Sequence, residues 1–254
     1  MGRLPAFIGY FFMVGMVTWQ DARAEVLVEN RDRVSLNWST MRLRFYGQAR
    51  PVAGQDPATA EKAALQDGLS FIVEEIPRLW EERKEFKGKG ESLRKQAVQA
   101  AHDVAASTYA FHAAWDAAGA VRVDLESNLA KALASPRSVI PSGENLEAPD
   151  HSGIVIYLDS KAAPKALFSV YSADGKELYG PAHVSEEGFR RNLMGRWFRL
   201  PVGNTLRAFS GKNPLEIKGQ IDASGRIRLQ EGAAEALRTN RANLNKARVA
   251  IVTM

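Results

Sequence analysis

The run Ile154-Val155-Ile156-Tyr157-Leu158 decides how the second half of the chain is read. It is continuous, apolar and of strand length, with β-branched residues in three of its positions. That pattern predicts a strand covered on both faces rather than a surface strand with one wet side. Working outward, Leu167 to Tyr171 and Leu178 to Tyr179 flank Asp174-Gly175, a pair suited to a hairpin turn. Leu215, Ile217, Gly219 and Ile221 alternate with Glu216, Lys218 and Gln220. Beyond the turn at 222–225, Ile227 and Leu229 alternate with Arg226 and Arg228, which predicts a second hairpin with a polar outer side. A helix over 231–240 and a last strand, Val249 to Val252, complete this half.

Upstream, 134–152 is rich in Ser, Pro and Gly (Ser135, Pro136, Pro141, Ser142, Gly143, Pro149) and has no period, so it reads as a linker. Before it, Met41, Leu43 and Phe45 alternate with Arg42, Arg44 and Tyr46, a half-buried strand that Gly47 can bend or end. Asp56-Pro57 predicts a helix start, and Ala60, Ala64, Leu65, Leu69, Ile72, Val73 and Ile76 keep one side of that helix apolar until Pro77 kinks or ends it. The charged run from Trp80 to Lys87 reads as a solvated face or loop. A second helix is predicted over 91–106, with Leu93, Ala97, Ala100 and Val104 on one side. Tyr109, Phe111, Ala113 and Trp115, a turn at 116–119, and Val121, Val123 and Leu125 predict a β-hairpin. Strands mixed with segregated helices argue an α+β class, arranged as two small subdomains with antiparallel hairpins, 25–133 and 153–254, joined by the linker 134–152.

Residues 1–24 read as a secretory signal peptide. Arg3 precedes an apolar run from Phe7 to Val17, and Ala22 and Ala24 supply the small residues that a signal peptidase needs, leaving Glu25 as the new N-terminus. That run is shorter than the roughly 20 residues that span a bilayer. The expected location is therefore periplasmic or secreted. At 45% hydrophobic and 25% charged residues the chain has ordinary globular composition, and its net charge of +5 is a mild excess spread along its length. This favours solubility over nucleic-acid binding, while peripheral contact with a membrane surface stays open. The chain has no cysteine. That excludes disulfides, thiolate metal sites, cysteine nucleophiles and a lipid anchor on cysteine.

Motifs with chemistry are few. His102, His112, His151 and His183 lack metal-ligand spacing, and Ser92-Leu93-Arg94-Lys95 has the serine and lysine spacing of penicillin-recognising enzymes without their companion elements. Gly88-Lys89-Gly90 is too short to cradle a phosphate. The neighbours Glu74-Glu75, Glu81-Glu82 and Glu186-Glu187 diverge by about 100° on a helix instead of converging on one bond. No catalytic residues, cofactor or metal are expected. The one local basic patch is Arg190, Arg191, Arg196 and Arg199 with Trp197 and Phe198 (beside Phe189), a mixture that suits an interaction surface.

Leu36-Asn37-Trp38-Ser39, the strand ending at Gly47 and the helix start Ala60-Glu61-Lys62-Ala63-Ala64 resemble the N-terminal region of bacterial envelope lipoproteins of the flagellar outer-membrane type, related to flagellar assembly protein T. Gly153 to Asp159, Asp174 to Gly180, Asn213-Pro214-Leu215 and Arg248 to Val252 resemble a C-terminal region of exported relatives of that group. The resemblance implies a non-catalytic structural component of the cell envelope, with flagellar or related machinery as its setting and envelope proteins or further copies of itself as partners. The alternative is an exported hydrolase acting on an envelope polymer through carboxylates that only folding brings together.

Overall fold

The computed structural model describes residues 25–52, 56–86, 90–134 and 146–254; the predicted leader, Gly88-Lys89 and most of the predicted linker lie outside them. The chain is α+β, with its strands in two sheets. The first is antiparallel, in the order β1-β2-β3-β5-β4, and comprises β1 (Val28–Asn30), β2 (Val34–Asn37), β3 (Arg42–Ala49), β4 (Tyr109–Trp115) and β5 (Val121–Asn128). Between β3 and β4 run two long helices, α1 (Pro57–Glu82) and α2 (Gly90–Ala106), and a short α3 (Leu129–Leu133) follows β5.

Helix α1 buries Ala60, Ala64, Gly68, Ile72, Ile76, Leu79 and Trp80, a stripe spaced almost entirely by four residues. Of the two expectations for Pro77, an end is not what forms: the helix passes through it and ends at Glu82. A proline in a helix costs about 3 kcal/mol or more; burying Leu79 and Trp80 beyond it offsets that loss. Trp80 stacks on Phe86, with ring centroids 4.6 Å apart, and its indole N–H donates to the Ala132 carbonyl at 2.7 Å. Residues 80–86 are thus in part core, not a solvated run. Gly47 likewise does not end its strand. It is the point where α1 crosses β3: a methyl at Gly47 would stand 1.8 Å from the Ala64 carbonyl oxygen and 2.5 Å from the Gly68 nitrogen.

The second sheet has the order β8-β7-β11-β10-β6-β12-β9. At its centre β6 (Ile154–Leu158) is parallel to both β10 (Leu215–Ile221) and β12 (Val249–Thr253), and β9 (Arg196–Arg199) is parallel to β12. The predicted hairpins form at the other side, β7 (Val170–Tyr171) with β8 (Glu177–Tyr179) and β10 with β11 (Ile227–Leu229). Ile154, Ile156 and Leu158 face the main apolar core, while Val155 joins Phe198, Leu206, Ala250 and Val252 in a smaller cluster on the opposite face. This accounts for the unbroken apolar run of β6. Helices α4 (Glu186–Asn192), α5 (Asn204–Ser210), α6 (Ala233–Arg238) and α7 (Arg241–Asn245) fill the connections, the last two replacing the single helix expected over 231–240.

The main core is continuous across the two sheets, running from Leu36, Trp38 and Ile72 to Ile156, Phe189 and Ile251. Glu25, Val26, Trp38 and Ser39, which flank β1 and β2, lie along the outer side of β9. Val26 bridges Phe198, Arg199 N–H donates to the Glu25 carbonyl, and Trp197 N–H donates to the Trp38 carbonyl. The Ser39 hydroxyl accepts from Leu27 N–H at 2.8 Å and donates to the Trp197 carbonyl at 2.6 Å. Nearby, the buried Arg83 guanidinium pairs with Glu29 at 2.7 Å, reaches the Pro164 carbonyl at 3.4 Å and lies 4.7 Å from the Trp38 ring centroid. Burial works to raise the Glu29 carboxyl, but the charges and hydrogen bonds of Arg83 and Arg31 overcome it and leave the carboxyl below its ordinary range.

Gly47→Ala is expected to lower unfolding free energy by about 2 kcal/mol, since strand and helix must separate to admit the methyl; urea denaturation measures it. Arg83→Met should cost roughly 3 kcal/mol at neutral pH by leaving Glu29 and Glu85 short of their partner. A carboxyl whose folded pKa is depressed contributes stability that is present above its unfolded pKa and lost as pH falls toward the folded one. The gap between wild type and Arg83→Met should therefore narrow below about pH 4, as thermal melts across pH will show.

Candidate functional site

Helices α1 and α2 cover only one face of the first sheet. The alternation of β3 and β5 turns Leu43, Phe45, Val121, Val123 and Leu125 toward them, and it turns Arg42, Arg44, Tyr46, Arg122, Asp124 and Glu126 to the other side. Register places Arg44 opposite Glu126 and Tyr46 opposite Asp124. On the open face the Arg44 Nε donates to Glu126 Oε2 at 2.7 Å, and the Arg122 Nε donates to Asp124 Oδ1 at 2.7 Å. Arg122 lies 3.9 Å from the Tyr46 ring centroid and Arg44 lies 5.2 Å from that of Phe111, cation–π contacts that hold both side chains in place. The groove between them is about 450 Å³ and is also lined by Ser35 and by Arg31, Asp32 and Arg33 of the turn between β1 and β2.

Glu126 is the hub of this face. Tyr109 donates its hydroxyl to Glu126 Oε1 at 2.5 Å, and Arg42 approaches the carboxylate at 3.6 Å. Burial works to raise the Glu126 carboxyl; the Tyr109 and Arg44 hydrogen bonds and the charges of Arg42 and Arg44 overcome it and hold the carboxyl below the usual range. A carboxyl stabilised as its anion in this way is suited to fixing arginines and poorly suited to giving up a proton. In return, the Tyr109 phenol is raised by its hydrogen bond to Glu126.

Strand β4 borders this face and is an edge of the sheet. All seven of its residues are exposed, and Tyr109, Phe111 and Trp115 keep 55%, 48% and 42% of their surface. Edge strands of other proteins are usually short, charged or covered. Here β4 has length and aromatic surface, moderated by a register shift between Ala110 and His112. His112 adds a contact at 3.1 Å to Asp124.

The basic patch read from sequence does not assemble as one surface. Arg190 pairs with Glu186 and Arg191 with Glu187 along the exposed side of α4. Trp197 and Phe198 are buried on opposite faces of the second sheet, and the Trp197 indole donates to the Lys165 carbonyl at 3.0 Å. Arg196 donates from Nε to Asn192 Oδ1, stacks on Phe209 and is lowered in pKa by burial, while Arg199 is exposed at the end of β9. Of the predicted processing residues, Ala22 and Ala24 lie outside the described residues. Glu25 is buried, its carboxylate accepting the Leu206 N–H at 2.5 Å. Lys95 pairs with Glu91. Of the adjacent glutamates, Glu74 and Glu75 face Arg78, and Glu82 bonds Arg31.

Among the described residues no three histidine or carboxylate side chains gather as metal ligands, and no helix is long and apolar enough to cross a membrane. The open face escaped the sequence reading because cross-strand register assembles it. Its available signal was the aromatic and alanine content of β4, which offers little to pack against a core. Tyr109→Phe is expected to return the Glu126 carboxyl toward the ordinary range by removing a hydrogen bond to its anion, a rise that carboxyl-detected NMR titration measures. A scan against protein-family models finds no match to this chain, and a search of curated proteins finds none either.

Proposed function

We propose that the chain is an exported, non-catalytic structural protein of the bacterial cell envelope that holds another protein by strand addition at β4. The observation that carries this reading is the uncovered edge itself: seven exposed residues, three of them aromatic, at the border of an antiparallel sheet. Such an edge binds a partner strand through main-chain hydrogen bonds, and its side chains supply selectivity. The register shift at Ala110 breaks the ladder locally and disfavours indiscriminate stacking, while His112 to Trp115 stays in register with β5. The leader read at residues 1–24 and the resemblance to flagellar outer-membrane lipoproteins support the envelope, and flagellar or related machinery within it, as the setting. Without a cysteine to carry a lipid, attachment falls to such contacts.

The test is photo-crosslinking from a reactive amino acid placed at Ala113, in cells and with the purified chain, alongside light scattering for self-association. The expected result is one dominant crosslinked partner, or a second copy. Trp115→Lys should weaken capture at least about tenfold, with the unfolding midpoint little changed because the site is exposed. A monomer that crosslinks to nothing, or capture indifferent to Trp115→Lys, overturns the reading.

A further inference from the structure

The open face carries its charges in two layers. Glu126 and Asp124 lie low, with 8% and 21% of their side-chain surface exposed, while Arg42, Arg44 and Arg122 stand above them at 52%, 51% and 49%. A ligand approaching this face therefore meets guanidinium first. Arg44 and Arg122 each hold their carboxylate through Nε alone, so the two terminal nitrogens of each have no hydrogen-bond partner among the described residues. That pair of nitrogens is the fork that grips a phosphate or carboxylate with two parallel hydrogen bonds. Both side chains are already immobilised by an aromatic ring and a carboxylate, which lowers the entropy lost on binding.

We infer that the groove between Arg44 and Arg122 binds an anionic polymer, a chain with phosphate or carboxylate groups repeated along it. The two forks line one groove. Arg122 sits beside Gln48 in the register, four residues along β3 from Arg44, so the two backbones are offset by about 14 Å at the strand rise of 3.4 Å per residue, and the Arg122 side chain leans back over Tyr46 toward Arg44. A monomeric anion satisfies the donors of one fork, whereas a polymer with repeated oxyanions seats a separate group on each. The arginines lie over Tyr46 and Phe111, the rings on which nucleic-acid bases would stack, and this favours a polymer held by charge over single-stranded nucleic acid. The site does not require strand pairing at β4: its forks belong to β3 and β5, and β4 contributes the Phe111 ring beside Arg44.

The experiment is titration calorimetry of the full chain with inorganic polyphosphate, with polygalacturonate, with oligothymidylate and with anionic phospholipid vesicles, at two salt concentrations. Polyphosphate or polygalacturonate should bind, more weakly at the higher salt, and monomeric phosphate and galacturonate should bind far less. Binding of one polymer alone upholds the groove and identifies its oxyanion. Arg44→Gln and Arg122→Gln should each weaken binding at least about fivefold and the double variant at least about twentyfold, as expected for lost charge-assisted forks. Arg190→Gln, which removes an arginine of α4 that is paired with Glu186 of the same helix and lies outside the groove, should change nothing. Thermal melts establish that Arg122→Gln, at an exposed position, remains folded. Absence of binding to both polymers, equal loss in Arg190→Gln, or tighter binding of oligothymidylate or vesicles overturns the assignment.

Discussion

The hydroxyl of Ser39 stands where three segments of the chain meet. It is buried, and it uses its donor and acceptor capacity at once, taking the Leu27 N–H and giving its proton to the Trp197 carbonyl. Such a bond contributes only about 1 kcal/mol net, but a buried group left without its partner costs up to about 3 kcal/mol. The backbone at Leu27 and at Trp197 depends on this one side chain. Around it, Val26, Glu25 and Trp38 complete a seam along β9, so the chain's own early residues close that edge of the second sheet. The first sheet is thereby tied to the second, and an open edge of length persists at β4.

Charge follows a parallel logic. In the interior, Arg83 is surrounded by Glu29, Glu85, the Pro164 carbonyl and the Trp38 ring; both terminal nitrogens have acidic or carbonyl partners, which makes its burial tolerable although Nε has no hydrogen-bond partner. On the open face the order is reversed: carboxylates are sunk and guanidiniums are raised. The same residue types in the same kind of pairing thus fix two parts of the fold together in one place and present a surface in the other. Depth decides which.

Local pattern made much of this legible. The run from Ile154 to Leu158 announced a strand covered on both faces, and the alternations at 109–125 and 215–229 announced hairpins, because each signal is complete within a few residues. Residues 196–199 carry the same signal as β6 in a shorter form, two large apolar side chains on opposite faces, but the arginines at each end made them read as a surface patch. Pro77 misled for a related reason. The rule for proline is local, whereas the burial of Trp80 that outweighs it depends on Phe86 and Ala132. The open face was half legible: parity turned Arg42, Arg44 and Tyr46 away from the core, but nothing in the sequence near them names Glu126, more than eighty residues away. Which strand would end at an edge was not legible at all, since that depends on where α1 crosses the sheet, and the crossing is fixed by Gly47 and Gly68 together.

Edge and face meet at one side chain. Phe111 belongs to β4, and its ring supports the Arg44 guanidinium on the open face. A strand added along β4, as proposed, would contact Phe111, and a polymer in the groove would contact Arg44, so each ligand would bias the conformation of a residue the other uses. Binding free energies coupled through such a contact are reciprocal: whatever factor the strand changes in affinity for the polymer, the polymer changes in affinity for the strand. The coupling is bounded by what the pair can transmit, and a cation–π contact at a partly exposed site is worth about 0.5 to 1 kcal/mol, or a few-fold in affinity. The two surfaces lie side by side on one small sheet, and the Ser39 seam ties that sheet to the second.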